Sequence, residues 1–325
     1  MSILVTGGAG YIGSHAAHAL VARGDDIVVL DDLTSGMRAF VPRLAHFVNG
    51  SAGDTGLVRQ TIETHKVNAV MHFAGSIVVP ESIERPLDYY ENNTAVSCRL
   101  LDACVTSGVR HFIFSSTAAV YGATELAPVA ETAPTHPLSP YGRGKLMVEW
   151  MLDDASRANG LRYAALRYFN VAGVDSRGGA GQPRRQFAHL IKRAAQVALG
   201  RADHLDVYGT DYPAPDGTAV RDYIHIGDLV EAHLVALDYL RGGGVPGIYN
   251  CGYGTGSSVM EVTSAFEKLV GRALPVRAAP RREGDAGFVV ANPSRLCDMM
   301  GWRPRFNRLD TIVQSALEWE AGLEN

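Results

Sequence analysis

Apolar residues in the first half of the chain come in short unbroken runs rather than in alternation: Ile3-Leu4-Val5, Ile27-Val28-Val29-Leu30, Val67 to Phe73, and His111-Phe112-Ile113-Phe114. Runs of this length, bounded by glycine and polar residues, mark strands buried on both faces, as in a parallel sheet covered by helices. Between them the pattern changes to helical spacing. Ser14 to Arg23 predicts a helix with Gly24 as its stop. A weaker strand near His46-Phe47-Val48 precedes a helix from Thr55 to His65, and residues 85–108 predict one long helix. Gly122 to Ser139, with Pro128, Pro134 and Pro137, reads as a surface loop. Pro140 then opens a helix over 140–157 along the apolar run Leu146 to Leu152, and Leu161 to Tyr168 is a further strand. Strand and helix alternate, which predicts an α/β fold built on a doubly wound parallel sheet. After Gly173 the texture differs: a Gly- and Arg-rich stretch over 174–186, a helix from Gln186 to Leu199, then short pieces at Asp206 to Gly209 and Thr218 to His225.

Composition narrows the class. The chain has 325 residues, 46% apolar and 20% charged, which suits a globular protein of one large domain and a second lobe. A net charge of −4 with both signs mixed argues against a nucleic-acid surface or a polybasic membrane patch. No apolar run approaches a membrane span, and the first strand begins at the N-terminus, so neither membrane insertion nor a signal peptide is expected. Four cysteines (Cys98, Cys104, Cys251, Cys297) form no C-x-x-C pair and suit a reducing, cytoplasmic setting. Cys98 and Cys104 are expected as buried small residues of the 85–108 helix.

Candidate chemistry lies where the predicted strands end. Thr6-Gly7-Gly8-Ala9-Gly10-Tyr11-Ile12-Gly13 joins the first strand to the first helix, with glycines at 7, 10 and 13 for a tight turn over a diphosphate. Asp31-Asp32 ends the second strand; an acidic side chain there accepts ribose hydroxyls and repels a 2′-phosphate, so the cofactor expected is NAD. Residues 1–173 are accordingly an NAD-binding Rossmann domain, and 174–325 a second lobe from which some segments return to the sheet. Phe73-Ala74-Gly75 and Ser115-Ser116-Thr117 leave two further strands at the same edge. Tyr141 and Lys145 share a helix face one turn apart. Holding a phenol ionised at neutral pH demands about 4 kcal/mol, part of which a nearby ammonium supplies. Thr117 is placed to bond the oxygen whose proton Tyr141 takes. Of the arginines gathered late in the chain, Arg221 and Arg282 are the candidates for a diphosphate. His15 and His18 lack a third ligand, so no metal site is expected. No Ser–His–Asp or Cys–His arrangement has supporting context.

The glycine loop at 7–13, Ser-Ser-Thr-Ala-Ala-Val-Tyr-Gly at 115–122 and Tyr-x-x-x-Lys at 141–145 together resemble the extended short-chain dehydrogenases/reductases. Within them the chain is similar to the UDP-glucose (UDP-galactose) 4-epimerases. The narrower matches are His72-Phe73-Ala74-Gly75, Pro80-Glu81-Ser82, Tyr89 to Asn93, Arg167-Tyr168-Phe169-Asn170, Asp216-Gly217-Thr218, Val220 to His225 and Pro280 to Asp285. The resemblance implies that Tyr141 is the acid/base, that Lys145 lowers its pKa and holds the nicotinamide ribose, and that Thr117 bonds the sugar. It implies NAD contacts from Gly7, Gly10, Tyr11, Ile12, Gly13, Asp31, Asp32, Phe73, Ala74, Gly75, Asn93, Ser115, Tyr141, Lys145 and Phe169. A UDP-sugar would be held by Thr117, Asn170, His189, Tyr208, Arg221, Arg282 and Asp285, making 174–325 a nucleotide-sugar lobe. A homodimer through the helices at 85–108 and 140–157 is implied as well. The neighbouring 4,6-dehydratases carry an acidic pair after the hydroxyl residue, and decarboxylases a Glu; here Ala118 and Ala119 stand there. The substrate alternatives are UDP-xylose/arabinose, UDP-N-acetylglucosamine or UDP-glucuronate, and, in another class, an NAD-binding sensor without catalysis. Four positions depart from the family pattern. Ser51 replaces an acidic adenine contact and Ile77 a lysine near the diphosphate, Gly144 replaces a serine, and Val289 stands where some members carry a bulky Tyr.

Overall fold

The unbroken apolar runs fold as strands, and the computed structural model describes residues 2–124, 128–175, 181, 189–282 and 285–323. The first half runs β1 (Ser2–Thr6), α1 (Tyr11–Arg23), β2 (Ile27–Asp31), β3 (His46–Asn49), α2 (Thr55–His65), β4 (Val67–His72), α3 (Val79–Glu84), α4 (Pro86–Tyr89), α5 (Val96–Thr106), β5 (His111–Thr117), α6 (Pro140–Asn159), β6 (Arg162–Tyr168) and β7 (Asn170–Ala172). The second half runs α7 (Leu190–Ala198), β8 (Leu205–Tyr208), β9 (Val220–Arg221), β10 (Tyr223–His225), α8 (Ile226–Arg241), β11 (Gly247–Cys251), β12 (Ser257–Ser258), α9 (Val259–Val270), β13 (Val276–Ala279), β14 (Phe288–Val289), α10 (Ser294–Met300) and α11 (Leu309–Gly322). Seven strands form one parallel sheet in the order β11-β6-β5-β4-β1-β2-β3. This is the doubly wound sheet that the sequence pattern predicts.

Alternate residues of the same strands build two cores, one on each face, because a strand sends successive side chains to opposite sides. Ile3, Val5, Ile27, Val29, Met71, Ile113 and Leu166 pack against α1 and α8. Leu4, Val28, Leu30, Val70, Phe112, Phe114 and Ala165 pack against α2, α5 and α6. The smaller lobe has its own core, in which α7, α9 and α11 bury Ile191, Ala194, Val262, Phe266, Ile312 and Val313. Three short sheets, β10-β7, β12-β9-β14 and β13-β8, complete it. No helix among the described residues is long and apolar enough to cross a membrane.

The predicted long helix over 85–108 is not continuous. Pro86 forces Arg85 out of helical geometry (φ −128°, ψ 59°), which ends α3 and starts α4. Tyr90 to Ala95 then wind as a π-helical turn before α5. On α5, Ser97, Leu100, Leu101 and Cys104 face the core, while Cys98 lies off that stripe and is exposed, not buried as expected. The Ser115–Thr117 hydroxyls belong to strand β5 itself, paired with β6 as far as Tyr168. The described part of 122–139 is no free surface loop either. Val129 N–H donates to Val290 O at 2.8 Å and Val129 O accepts from Asn292 N at 2.8 Å, fastening this segment to the second lobe. The predicted helix start at Gln186 and most of 174–186 lie outside the described residues; α7 begins at Leu190.

One carboxylate ties three distant segments together. Asp222, fully buried between β9 and β10, accepts hydrogen bonds from the N–H groups of Tyr253 (2.9 Å), Gly254 (2.9 Å) and Ala291 (3.2 Å). Asp222→Ala orphans three N–H donors, that of Ala291 buried and those of Tyr253 and Gly254 half-buried. At about 1–3 kcal/mol for each donor cut off from water, a loss of about 3 kcal/mol is expected in urea unfolding. A loss below about 1 kcal/mol would show that the clamp is dispensable.

Candidate active site

The turn after β1 packs too closely for any side chain. Gly7 sits at φ +70°, where a Cβ would lie 2.5 Å from Ala74 N, and a Cβ on Gly13 would lie 2.2 Å from Gly7 O. Gly10 caps α1 without a side-chain hydrogen bond, so the first-turn N–H groups of Tyr11 and Ile12 and the helix dipole face outward, ready for a diphosphate. The Tyr11 hydroxyl donates to Gly173 O, which pins the start of α1 to the end of β7. Asp31, the last residue of β2, accepts from Ala9 N and Leu33 N at 2.9 Å each. Burial pushes its carboxyl up while those two donors pull it down, and lone pairs remain for a diol. Asp32 is exposed and accepts from Thr34 N. Close glycines, an uncapped helix start and an acidic strand end fit a dinucleotide with a free ribose 2′-hydroxyl.

The wall of this cradle is the end of β4 and the π-helical turn. Phe73 lies against His233 with the rings tilted by 40°, at 4.9 Å between centroids. Gly75 lies against Asn93, whose side chain accepts from Ser76 N (2.7 Å) and donates to Ser76 O (2.8 Å). Asn93 therefore shapes the turn rather than presenting a free amide. His72 bridges Thr6 Oγ1 (2.7 Å) and Ser97 Oγ (2.9 Å), and Ser97 donates to Asn93 O, so one buried chain joins β1, β4, the π-helical turn and α5. Burial, with Lys145 nearby, drives the His72 pKa down to about 3, so it is neutral.

Beside the wall, Tyr141, Lys145 and Thr117 converge. Ser139 caps α6, accepting from Gly142 N at 3.2 Å, and Pro140 stands in the first turn. Gly142 and Gly144 let the helix press inward: a Cβ would lie 2.7 Å from Ala119 O in the first case and 2.8 Å from Thr94 Oγ1 in the second. Gly144 thus lets α6 pack closely on the π-helical turn, where a Cβ would have to displace the Thr94 hydroxyl. Lys145, only 4% exposed, donates to Ser115 O at 2.9 Å and stands 4.9 Å from the Phe114 ring centroid. Burial pushes its pKa down to about 8, and Glu149 pulls it up. Burial pushes the Tyr141 phenol up, and the hydrogen bond from Thr117 pulls it down. Within the protein, then, both groups are driven toward neutrality, and Thr117 acts on Tyr141 most directly. Ser115 turns its own hydroxyl to His233 Nε2, at 3.2 Å. Phe169 closes the floor with Ala118, Val120, Tyr121 and Leu146.

A second group forms at the other end. Arg221 pairs with Asp285 at 2.6 Å, and the Arg282 guanidinium lies 3.6 Å from the Tyr208 ring centroid. Asn170 and His189 line one cleft with Tyr223, Lys192 and Trp319. Burial, with Lys192 beside it, lowers the His189 pKa. Strand β14 joins the two groups: Val289 packs against the Ala118–Phe169 cluster and is in register with Arg221. Glu149, Ser116 and Arg167 form a buried network behind Lys145 that sequence reasoning does not single out. Its signal was a lone carboxylate inside the apolar run 146–152, one turn beyond Lys145.

A dinucleotide cradle beside a buried tyrosine–lysine pair defines a nicotinamide-dependent enzyme that takes a proton from, or gives one to, an alcohol. The chain belongs to the NAD dependent epimerase/dehydratase family, which it matches over residues 3–252. It is 53% identical over 322 residues to a UDP-glucose 4-epimerase of Azospirillum brasilense, covering 99% of this chain and 92% of that protein. The crystal structure of a UDP-glucose 4-epimerase from Brucella ovis in complex with NAD superposes with a TM-score of 0.93 at 42% identity, covering 98% of each chain. A UDP-Glc/GlcNAc 4-epimerase from Campylobacter jejuni superposes at 0.85 with 42% identity, covering 98% of this chain and 99% of that one.

Thr117→Val keeps the shape of the side chain and removes the hydroxyl. It is expected to lower kcat by about 10-fold to 100-fold with KM changed little, because the bond to Tyr141 matters most when the proton moves. Steady-state kinetics on the two proteins decide it; an unchanged kcat would remove Thr117 from the reaction.

Proposed function

We propose that the protein interconverts UDP-galactose and UDP-glucose by inverting the configuration at C4 of the sugar. The observation that carries this is the single proton-transfer group at the junction of cradle and substrate site. Beyond Thr117, Ala118 and Ala119 form a short turn with no proton to move, so dehydration of the sugar has no acid there and Tyr141 works alone. Thr117 holds the 4-hydroxyl, Tyr141 takes its proton, and Lys145 fixes the charge balance beside the phenol. NAD, held by the 7–13 turn, Asp31 and Lys145, supplies the two-electron acceptor for C4 and the donor for its return. The 4-keto sugar turns over while Arg221 and Arg282 keep the diphosphate, and Tyr141 returns the proton on the other face. A firm hold on the nucleotide with a loose hold on the sugar suits guanidinium groups gathered at one end.

Val289 favours a second activity at the same site. Packed against Ala118 and Phe169, it leaves more room than a tyrosine would, which suits an N-acetylated sugar. Pentose and uronate sugars are the remaining alternatives for the same cycle. Intact Thr117, Tyr141 and Lys145 speak against a non-catalytic sensor.

Purified protein given UDP-galactose without added nicotinamide is expected to form UDP-glucose, and Tyr141→Phe to lose about 10²–10⁴-fold of that rate. Product that appears only when NAD is added keeps the function and assigns a weak cofactor grip to Ser51 and the 40%-exposed Ile77. No product from any UDP-hexose with NAD supplied would overturn the proposal. UDP-N-acetylglucosamine in the same assay tests the Val289 reading, which a flat absence of turnover would sink.

The assembly proposed is a homodimer in the cytoplasm, where four unpaired cysteines are at home. Its interface would be the exposed apolar face of α3, α4 and α6, where Ile83, Leu87, Met147 and the 58%-exposed Trp150 stand on neighbouring helices. Light scattering should give twice the chain mass of 34.9 kDa, and Trp150→Glu should bring it toward one chain. A single-chain mass for the unaltered protein would rule the dimer out.

A further inference from the structure

Tyr141, Lys145 and Glu149 follow one another at four-residue spacing and so form one stripe on α6. Three successive residues of β5 grip that stripe. Thr117 bonds the Tyr141 hydroxyl, the Ser115 carbonyl accepts from Lys145 Nζ at 2.9 Å, and the Ser116 hydroxyl donates to Glu149 Oε1 at 2.5 Å. Arg167, in register with Ser116 on β6, closes the carboxylate from the other side, Nε to Oε1 at 2.9 Å and Nη2 to Oε2 at 2.6 Å. Its guanidinium lies 4.8 Å from the Tyr121 ring centroid, and the Tyr121 hydroxyl donates to Asn250 Oδ1 at 2.7 Å. Glu149, Arg167, Tyr121 and Asn250 are all buried.

A buried Arg–carboxylate pair is a poor source of stability, since apolar residues of the same volume serve as well. The pair also leaves Arg167 Nη1 without a hydrogen-bond partner among the described residues. What an apolar replacement would lack is charge one turn from Lys145. Several groups face that ammonium or its tyrosine neighbour: His72 from β4, Tyr168 from β6, Tyr89 from α4 and Glu149 from α6 itself, with Arg167 of β6 behind Glu149. His72 is neutral and Arg167 positive, and burial raises the phenols of Tyr89, Tyr141 and Tyr168, which leaves Glu149 as the anion among these groups.

We propose that Glu149 is a positioning residue of the reaction: clamped by Ser116 and Arg167, it supplies the buried negative charge that keeps the Lys145 ammonium in place against the Ser115 carbonyl. The inference rests on the reading of Tyr141 as the acid/base. Without Glu149, burial alone acts on Lys145, the lysine loses its proton at a lower pH, and Tyr141 loses the cation beside it.

The chain has four lysines, Lys66, Lys145, Lys192 and Lys268, so protein carrying carbon-13 at the lysine Cε gives a spectrum simple enough to assign with Lys145→Met. In the unaltered holoenzyme the Lys145 signal should titrate near pH 8. In Glu149→Gln the midpoint should fall by about one pH unit or more. The alkaline limb of kcat for UDP-galactose should move with it while KM stays within about twofold. Glu149→Gln strands the Arg167 charge in the core, so Glu149→Gln/Arg167→Met is measured beside it as the variant free of an unpaired ion. A Lys145 signal that titrates at the unaltered pH in Glu149→Gln, or an alkaline limb that stays in place there, overturns the proposal. The double variant, which removes both charges, reports whether the fold survives without the pair. An unaltered enzyme inert toward UDP-galactose sinks the reaction reading instead, and the Lys145 midpoint then still decides whether Glu149 holds the charge.

Discussion

A phenol and an ammonium buried within one helical turn of each other set the terms for the rest of the molecule. Burial penalises whichever form is charged, so it lowers the lysine toward neutral pH and raises the tyrosine away from it. The phenol depends on the hydrogen bond from Thr117 to pull it back. Such a pair survives in a dry layer only if backbone and hydroxyl oxygens meet it on every side. The parallel sheet provides those oxygens. All of its strands end at one edge, and there β1 brings Thr6, β2 Asp31, β4 His72, β5 Ser115 to Thr117 and β6 Tyr168. A single sheet edge thus carries both the cofactor cradle and the groups that hold Tyr141 and Lys145.

Close approach is the second device. Helix α6 carries two glycines in its first turns, each unfavourable in a helix by about 1 kcal/mol against alanine. In exchange its backbone comes within reach of the Ala119 carbonyl and of Thr94 on the π-helical turn. Tyr141 and Lys145 are thereby pressed between β5 on one side and the segment carrying Asn93 on the other. The network behind them, Glu149 to Arg167 to Tyr121 to Asn250, continues across to the loop at Val129 and Glu131, so that α6, the edge strand β11 and that loop share polar contacts.

The sheet was legible because parallel strands buried on both faces leave unbroken apolar runs, and the cradle because glycine at 7 and 13 answers a steric need that no other residue meets. The interruption of the 85–108 helix was only half legible. Pro86 marks its first break, but a π-helical turn adds one residue to the winding without altering composition, and Cys98 changed sides as a result of details of register. Helices α8 to α11 and strand β11 gave no sequence signal of where they pack, since β11 pairs with β6 across some eighty residues of chain and nothing local encodes that partner. Glu149 was hidden by its neighbours: inside Leu146 to Leu152 a single carboxylate resembles a solvated edge, and only Ser116 and Arg167, from two other strands, reveal it as buried.

Strand β14 is two residues long, yet it borders both ends of the proposed substrate site: Val289 lies on the Ala118–Phe169 cluster, and its register partner is Arg221. Backbone hydrogen bonds between this short stretch and β9, and the Thr124 hydroxyl donating to Phe288 O, leave it little slack. With the sugar and diphosphate held as proposed, sugar selectivity and diphosphate affinity would therefore be mechanically coupled variables. Widening or filling the space at residue 289 would act on the strand in register with Arg221, so a change of sugar preference would carry with it a change in how tightly every nucleotide sugar, and the free nucleotide, is held.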